Sequence, residues 1–338
     1  MALAPIVPLV EATRGGHTES IHYGAVAVVN ARGKLLYHAG DADFPTFTRS
    51  TIKPFQSLPL LQGGGHERFG FDARELALLC ASHSGEAMHT ETVERMLRKA
   101  GCDEHHLRCG CHVPIFYPTH DKMPEAGTSF NQLHNNCSGK HAGFLAWCIQ
   151  HGAPLDSYVE PAHPLQQAVR QSLAEVAGLA PDAMPTGIDG CSAPNFALPL
   201  SRLALSYARL AQGGRDPVYG SLMEELFQAM TMHPELVSGT GRSDLAFMRT
   251  VPGDWVAKIG AEAVQAIGIR SMGIGIAIKI ADGNTRALVP AAITALKQIG
   301  ALGAVENTPL APWANPQIDN FRGMHTGDLR AVFSLAKH

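Results

Sequence analysis

Charge is scarce in this sequence. Asp, Glu, Lys and Arg make up 17% of its 338 residues, with 27 basic against 30 acidic and a formal net charge of -3. No Lys/Arg run is long enough to follow a phosphate backbone or dock on an anionic membrane, so nucleic acid and membrane partners are excluded and a small molecule is expected. Long apolar runs are lacking too. No stretch of about 18 residues is free of charge or turn signals, which removes a membrane span. The opening "MALAPIVPLVEATRGG" has no basic leader, carries Pro5 and Pro8, and reaches Glu11 before a signal core could form, so secretion is not expected. The seven cysteines cannot all pair. A chain this size folds without disulfides, and a reducing cytoplasm with thiols buried or metal-bound is the expectation. The 34 glycines and 22 prolines are scattered, reading as turns rather than linkers. The 45% hydrophobic content suffices for a large core, and one catalytic domain over 1–338 is expected.

The periodicity changes twice along the chain. "HYGAVAVVNARGKLLYHAG" (22–40) gives two apolar runs about a turn, a β-hairpin pattern. "STIKPFQSLPLL" follows with Ile52, Phe55, Leu58 and Leu61 at helical spacing. It predicts a helix opening near Ser50, with Pro54 in its first turn and Ser50 and Lys53 on one face. From about 51 to 249 three-to-four spacing dominates, including "NFALPLSRLALSYARLAQ". Beyond that "DWVAKIGAEAVQAIGI", "GIGIAIKIAD" and "TRALVP" read as three β segments, and "AAITALKQIG" as a helix. The expected class is α/β of the α+β type, a mainly antiparallel sheet from both chain ends (about 20–50 and 250–338) around a helical middle. That order also describes the serine β-lactamase and penicillin-binding architecture, in which a Ser-x-x-Lys precedes a Lys-x-Gly strand. Here the latter is Lys258-Ile259-Gly260, with isoleucine where a hydroxyl residue is expected.

Ser50 and Lys53 fit a nucleophile with its base, because a serine hydroxyl attacks poorly until a neighbour accepts its proton; the bland alternative is an N-cap serine and a solvated lysine. "CASHSGE" (80–86) offers Ser82, His83, Ser84 and Glu86 around one glycine, and reads equally as a capping turn. "HNNCSGKHAGF" (134–144) sets Cys137, Lys140 and His141 in a loop opening a helix. "GIDGCSAPNF" (187–196) places Asp189 and Cys191 before what reads as another helix. Two such helix starts favour anions and lower thiol pKa values. "DEHHLRCGCH" (103–112) is rich in His and Cys, but His105 and His106 point apart and no pair has zinc-finger spacing.

In the order "RSTIKPFQ", "SHSGE", "NNCSGKHAG", "GIDGCSAPNFALPL", "VAKIGAEA" and "GIGIAIKIADGNTRAL", the chain resembles the rhizobial-type (class 3) L-asparaginases, the thermolabile asparaginase II family. The resemblance runs from about residue 18 to the end. It implies a cytoplasmic homodimeric amidohydrolase with a β-lactamase-like fold, acting on L-asparagine. Ser50 with Lys53 would be the nucleophile pair and Ser82 with Lys258 a second pair. Cys137, Lys140 and Cys191 would hold one Zn2+ per chain with a water, assisting substrate binding. Asp189 would sit beside that centre, and Arg49 and His141 would line the substrate pocket. Ala263 and Ser192 depart from the pattern, each standing where glycine is expected in a tight loop. Other readings are a β-lactamase-fold glutaminase or peptidase, or a non-catalytic zinc-stabilised binding protein.

Overall fold

The computed structural model describes residues 5–338. Its strands are β1 (Val7–Arg14), β2 (His17–Asn30), β3 (Leu35–Ala39), β4 (Pro45–Phe47), β5 (Thr186–Ile188), β6 (Pro194–Pro199), β7 (Trp255–Gly260), β8 (Val264–Ile269), β9 (Ile274–Ile280), β10 (Gln317–Asp319), β11 (His325–Ala331) and β12 (Ala336–Lys337). A nine-stranded sheet runs β10-β11-β1-β2-β9-β8-β7, with β3 on β2 and β12 on β3, and a three-stranded sheet runs β4-β6-β5. Every pairing is antiparallel. Both chain ends thus build one sheet around a helical middle, as the periodicity predicts.

Strands β8 and β9 are buried at every position. They lose the in-out alternation of a half-exposed strand because helices cover both faces. Helix Leu200–Gln212 packs on one face unusually closely: a Cβ on Gly275 would lie 1.9 Å from the Ala204 carbonyl oxygen, and one on Gly268 2.4 Å from that of Tyr207. Only glycine permits this approach. Helix Leu288–Gln298 also packs on the sheet.

Several local expectations are corrected. "DWVAKIGAEAVQAIGI" forms two strands, because the chain reverses at Glu262 and Ala263, both at positive φ (59° and 53°). "TRALVP" is not a strand; it is a 3-10 turn, Thr285–Ala287, feeding helix Leu288–Gln298. "NFALP" belongs to β6, and the helix begins only at Leu200. The Asp189–Cys191 segment is therefore a turn between β5 and β6 rather than a helix start. The helix predicted from Ser50 is broken into a 3-10 turn, Arg49–Ile52, and two short helices, Lys53–Gln56 and Leu58–Gln62. Strands β1 and β10 to β12 carried no signal strong enough to read in the sequence.

Candidate active site

Ser50 sits in the 3-10 turn, 9% exposed. Four contacts pin this turn. Thr48 Oγ1 donates to Phe196 O (2.9 Å), Thr51 Oγ1 to Thr48 O (2.7 Å), Arg49 N to Asn195 Oδ1 (3.2 Å), and Tyr207 Oη to Thr51 O (2.7 Å). Tyr207 reaches Thr51 because its helix lies so close to the sheet. Strand β7 closes the other side. A Cβ on Gly260 would meet Thr48 O at 2.9 Å, which explains why glycine ends the Lys-Ile-Gly run. Arg49 holds φ 50°, a strained value for a non-glycine residue. Among the described residues Ser50 Oγ has no hydrogen-bond partner.

Lys53 is 1% exposed. Its Nζ donates to Ser82 Oγ (3.0 Å), to Asn136 O (3.3 Å) and to Ala81 O, which occupies all three donors of an ammonium. Lys258 is fully buried on β7. It donates to Ile259 O at 2.8 Å and faces Asp244 Oδ2 at 3.6 Å. Burial pulls its pKa down to about 7, against the opposing pull of Asp244 and helped by Lys53 and Arg242. Asp244 spends its oxygens elsewhere, on Ile259 N (2.8 Å) and Gln265 Nε2 (3.1 Å). Neither expected serine–lysine pair is joined by a hydrogen bond; the observed one crosses them, Lys53 to Ser82.

Cys137 caps helix Ser138–His151, whose first turns carry Lys140 and His141. The β5–β6 turn brings Cys191 onto them. Lys140 Nζ lies 3.1 Å from Cys191 Sγ. Hydrogen bonding to Cys137 holds the Cys191 thiol well below its usual pKa despite burial, aided by Lys140, and pushes Cys137 up. Burial opposes the charge on Lys140, but Cys191, Cys137 and Asp189 outweigh it and raise its pKa. His141 is fully buried, with Nδ1 on Tyr158 Oη (2.7 Å) and Nε2 unpartnered. Among the described residues no group of three or more His, Cys, Asp or Glu is placed to hold a metal.

Asp189 Oδ1 accepts from Arg49 Nε (2.9 Å) and its Oδ2 from Asn195 Nδ2 (3.3 Å). Arg49, Asn195, Phe47, Ile188, Glu262 and Lys279 line an open cleft of about 550 Å³. The turn carrying Ser50 thus borders both this cleft and the buried lysines.

Residues 10–331 match the family model for L-asparaginase II. The chain belongs to the L-asparaginase II family. No curated protein matches the sequence. Among solved structures, a protein called Mglu in its native form is 14% identical, with 83% of this chain aligned to 65% of that one and a TM-score of 0.46. Its glutamate form is 16% identical, 82% against 61%, at 0.46. This chain therefore spans under two thirds of Mglu's length. A β-lactamase from Mycobacterium bovis is 13% identical, 82% against 95%, at 0.36. Likenesses this weak bear on neither substrate nor mechanism.

Within this asparaginase II chain Lys53 joins Ser82 and acts on Lys258, Lys140 and His141 gather about Cys137 and Cys191, and Arg49 beside Ser50 holds Asp189. The fold adds others. Asp244 faces Lys258, Tyr207 and Asn195 hold the Ser50 turn and Asn136 O accepts from Lys53, and none of these contacts is visible in the sequence because each joins residues distant along the chain. In the segment set aside as metal bait, His106 pairs with Asp103 (2.8 Å), while Cys109 is buried where Cys191 and Lys140 act on its charge. Ser84 donates to Ser238 O (3.0 Å), and Glu86 holds Thr240 N (2.9 Å), so both brace the loop before Asp244.

Proposed function

We propose that this asparaginase II chain hydrolyses L-asparagine to L-aspartate and ammonia through an acyl-enzyme on Ser50. The carrying observation is Lys258, fully buried, with Asp244 no nearer than 3.6 Å and its pKa pulled down to about 7 by that burial, which puts a free amine within reach of neutral pH. Ser50 Oγ attacks the amide carbon. Its proton passes by way of Ser82, held by Lys53, to Lys258. The C–N bond then breaks, and ammonia leaves with that proton. Water hydrolyses the ester by the reverse route. Ser50 is preferred as nucleophile because its hydroxyl is uncommitted and its turn borders the cleft, whereas Ser82 is engaged by Lys53.

Cys137, Lys140 and Cys191 fit one zinc ion. Two thiols and an amine converge, and Cys191 already has thiolate character. Bound zinc would position the substrate as a Lewis acid, and Lys140 must first release its proton. By the same family resemblance, the chain works as a cytoplasmic homodimer.

The test is ammonia release from asparagine, glutamine and short amides. Ser50→Ala should abolish it while zinc, measured by metal analysis, stays near one per chain. Release surviving in Ser50→Ala and lost in Ser82→Ala would transfer the nucleophile. A second reading, as a glutaminase or peptidase, draws on the cleft's size, and turnover of glutamine above asparagine would establish it. Metal binding with no release from any amide would leave the non-catalytic binding protein.

A further inference from the structure

Alternation along β7 turns Lys258 and Gly260 toward the Ser50 turn and Ile259 to the opposite face. There Ile259 borders a second cleft, of about 390 Å³, lined also by Arg242, Thr285, Arg286, Val289 and Trp313. Its lining is largely apolar. Two arginines enter it, and no acid does. Arg286 is committed, through Nε to His22 (2.9 Å) and Nη2 to Ser20 (3.0 Å). Arg242 is not. Among the described residues its guanidinium makes no hydrogen bond or ion pair, and its Nη1 is sealed from solvent without a partner. Arg242 is half-buried and the Asp244 carboxylate acts on its charge, but a guanidinium nitrogen sealed from water without a partner is costly and favours an anion that can answer it.

We infer that this cleft binds a carboxylate with an apolar body, the charge taken by Arg242 and the hydrocarbon by Trp313, Val289 and Ile259. The site is joined to the buried lysine through the backbone of one residue: Ile259 N donates to Asp244, and Ile259 O accepts from Lys258. The groups acting on Lys258 are Asp244, Lys53, Arg242, Cys137 and Cys80. An anion on Arg242 offsets a positive charge that helps keep Lys258 deprotonated, so Lys258 holds its proton to higher pH and amide hydrolysis slows near pH 7. This second step rests on the role proposed for Lys258.

Isothermal titration of the full chain with cyclohexanecarboxylate, against the neutral cyclohexylmethanol, tests the site. The carboxylate should bind once per chain, about tenfold or more tighter than the alcohol. Arg242→Gln should erase that preference. Thr285→Trp, which fills the cleft from an exposed turn, should abolish binding while leaving amide turnover. In wild type the carboxylate should move the rising limb of kcat/KM to higher pH, and in Thr285→Trp it should not. Equal binding of the alcohol, binding unchanged in both variants, or strict competition with the amide substrate would overturn the site. Binding with an unmoved limb would overturn the coupling. If no amide is turned over, the function proposed above fails, and calorimetry still decides the site.

Discussion

Two buried ion pairs in this protein are built to opposite ends. Arg209 and Asp216 meet twice, Nε to Oδ2 at 2.6 Å and Nη2 to Oδ1 at 3.0 Å. The remaining capacity is filled too: Arg209 Nη1 donates to Glu175 O and Val176 O, and Asp216 accepts from Val218 N and Tyr219 N. Lys258 and Asp244 stand 3.6 Å apart, and each spends its hydrogen bonds on other groups. The first pair has four of the five guanidinium donors and both carboxylate oxygens answered. The second leaves an amine whose charge is barely compensated. Geometry, more than burial, separates a structural pair from a proton acceptor.

Breaking each pair should give opposite phenotypes. Lys258→Met is expected to lower kcat/KM by about 10²–10⁴-fold, the range for a lost general base. Its stability cost should be smaller than that of Arg209→Met, because removing the buried amine also removes its own desolvation penalty and so offsets the partner that Asp244 loses. Arg209→Met should destabilise by about 3–5 kcal/mol by stranding a buried carboxylate, with turnover per folded molecule retained. Ammonia release and denaturant midpoints check both. Equal stability losses would erase the distinction.

The pH dependence sharpens the same contrast. Lys258 has its folded pKa lowered, to about 7 from 10.5. Between those values the unfolded chain binds more protons, so stability should rise with pH across that window by a few kcal/mol, and the rise should vanish in Lys258→Met. kcat/KM should climb through the same midpoint near 7. Asp216 is raised by burial but held lower on balance by Arg209 and its backbone donors. Its contribution is present above the ordinary carboxylate pKa and should be lost as pH falls through the folded one. Thermal denaturation from pH 3 to 10 reads both limbs.

The smallest effect concerns the turn that carries Cys191. Ser192 holds φ 70°, where a side chain is strained, so Ser192→Gly should stabilise by about 1 kcal/mol in a thermal melt. Ala263, at φ 53°, has a buried methyl to lose, and Ala263→Gly should gain less. The two departures from the family's glycines thus fall where the backbone favours glycine.

The sheet's central strands and the helices of the middle were legible because hydrophobic period is a local property. The turn at 262–263 was not. "GAEAV" keeps an apolar rhythm straight through a reversal that depends on two non-glycine residues at positive φ. "TRALVP" failed for a related reason, since a buried helix start and a short strand look alike over six residues. The C-terminal strand β10 has only three residues, and β11 is half-exposed with few apolar positions and pairs with β1 at the far end of the chain, so neither stands out locally.

The sequence by itself determined which residue types could do chemistry. A Ser-x-x-Lys, a Lys-x-Gly strand and two Cys-bearing glycine loops constrain the side chains at hand, and their order carries the family. Only the tertiary structure decided who meets whom. Lys53 reaches Ser82 across 29 residues, Asp244 faces Lys258 from a neighbouring helix, and Cys191 arrives at the helix of Lys140 from the β5–β6 turn of the small sheet. The proton affinity of Lys258 was likewise settled there, because it depends on the water removed around an amine and on the charges left facing it, and neither is written in the residues beside it.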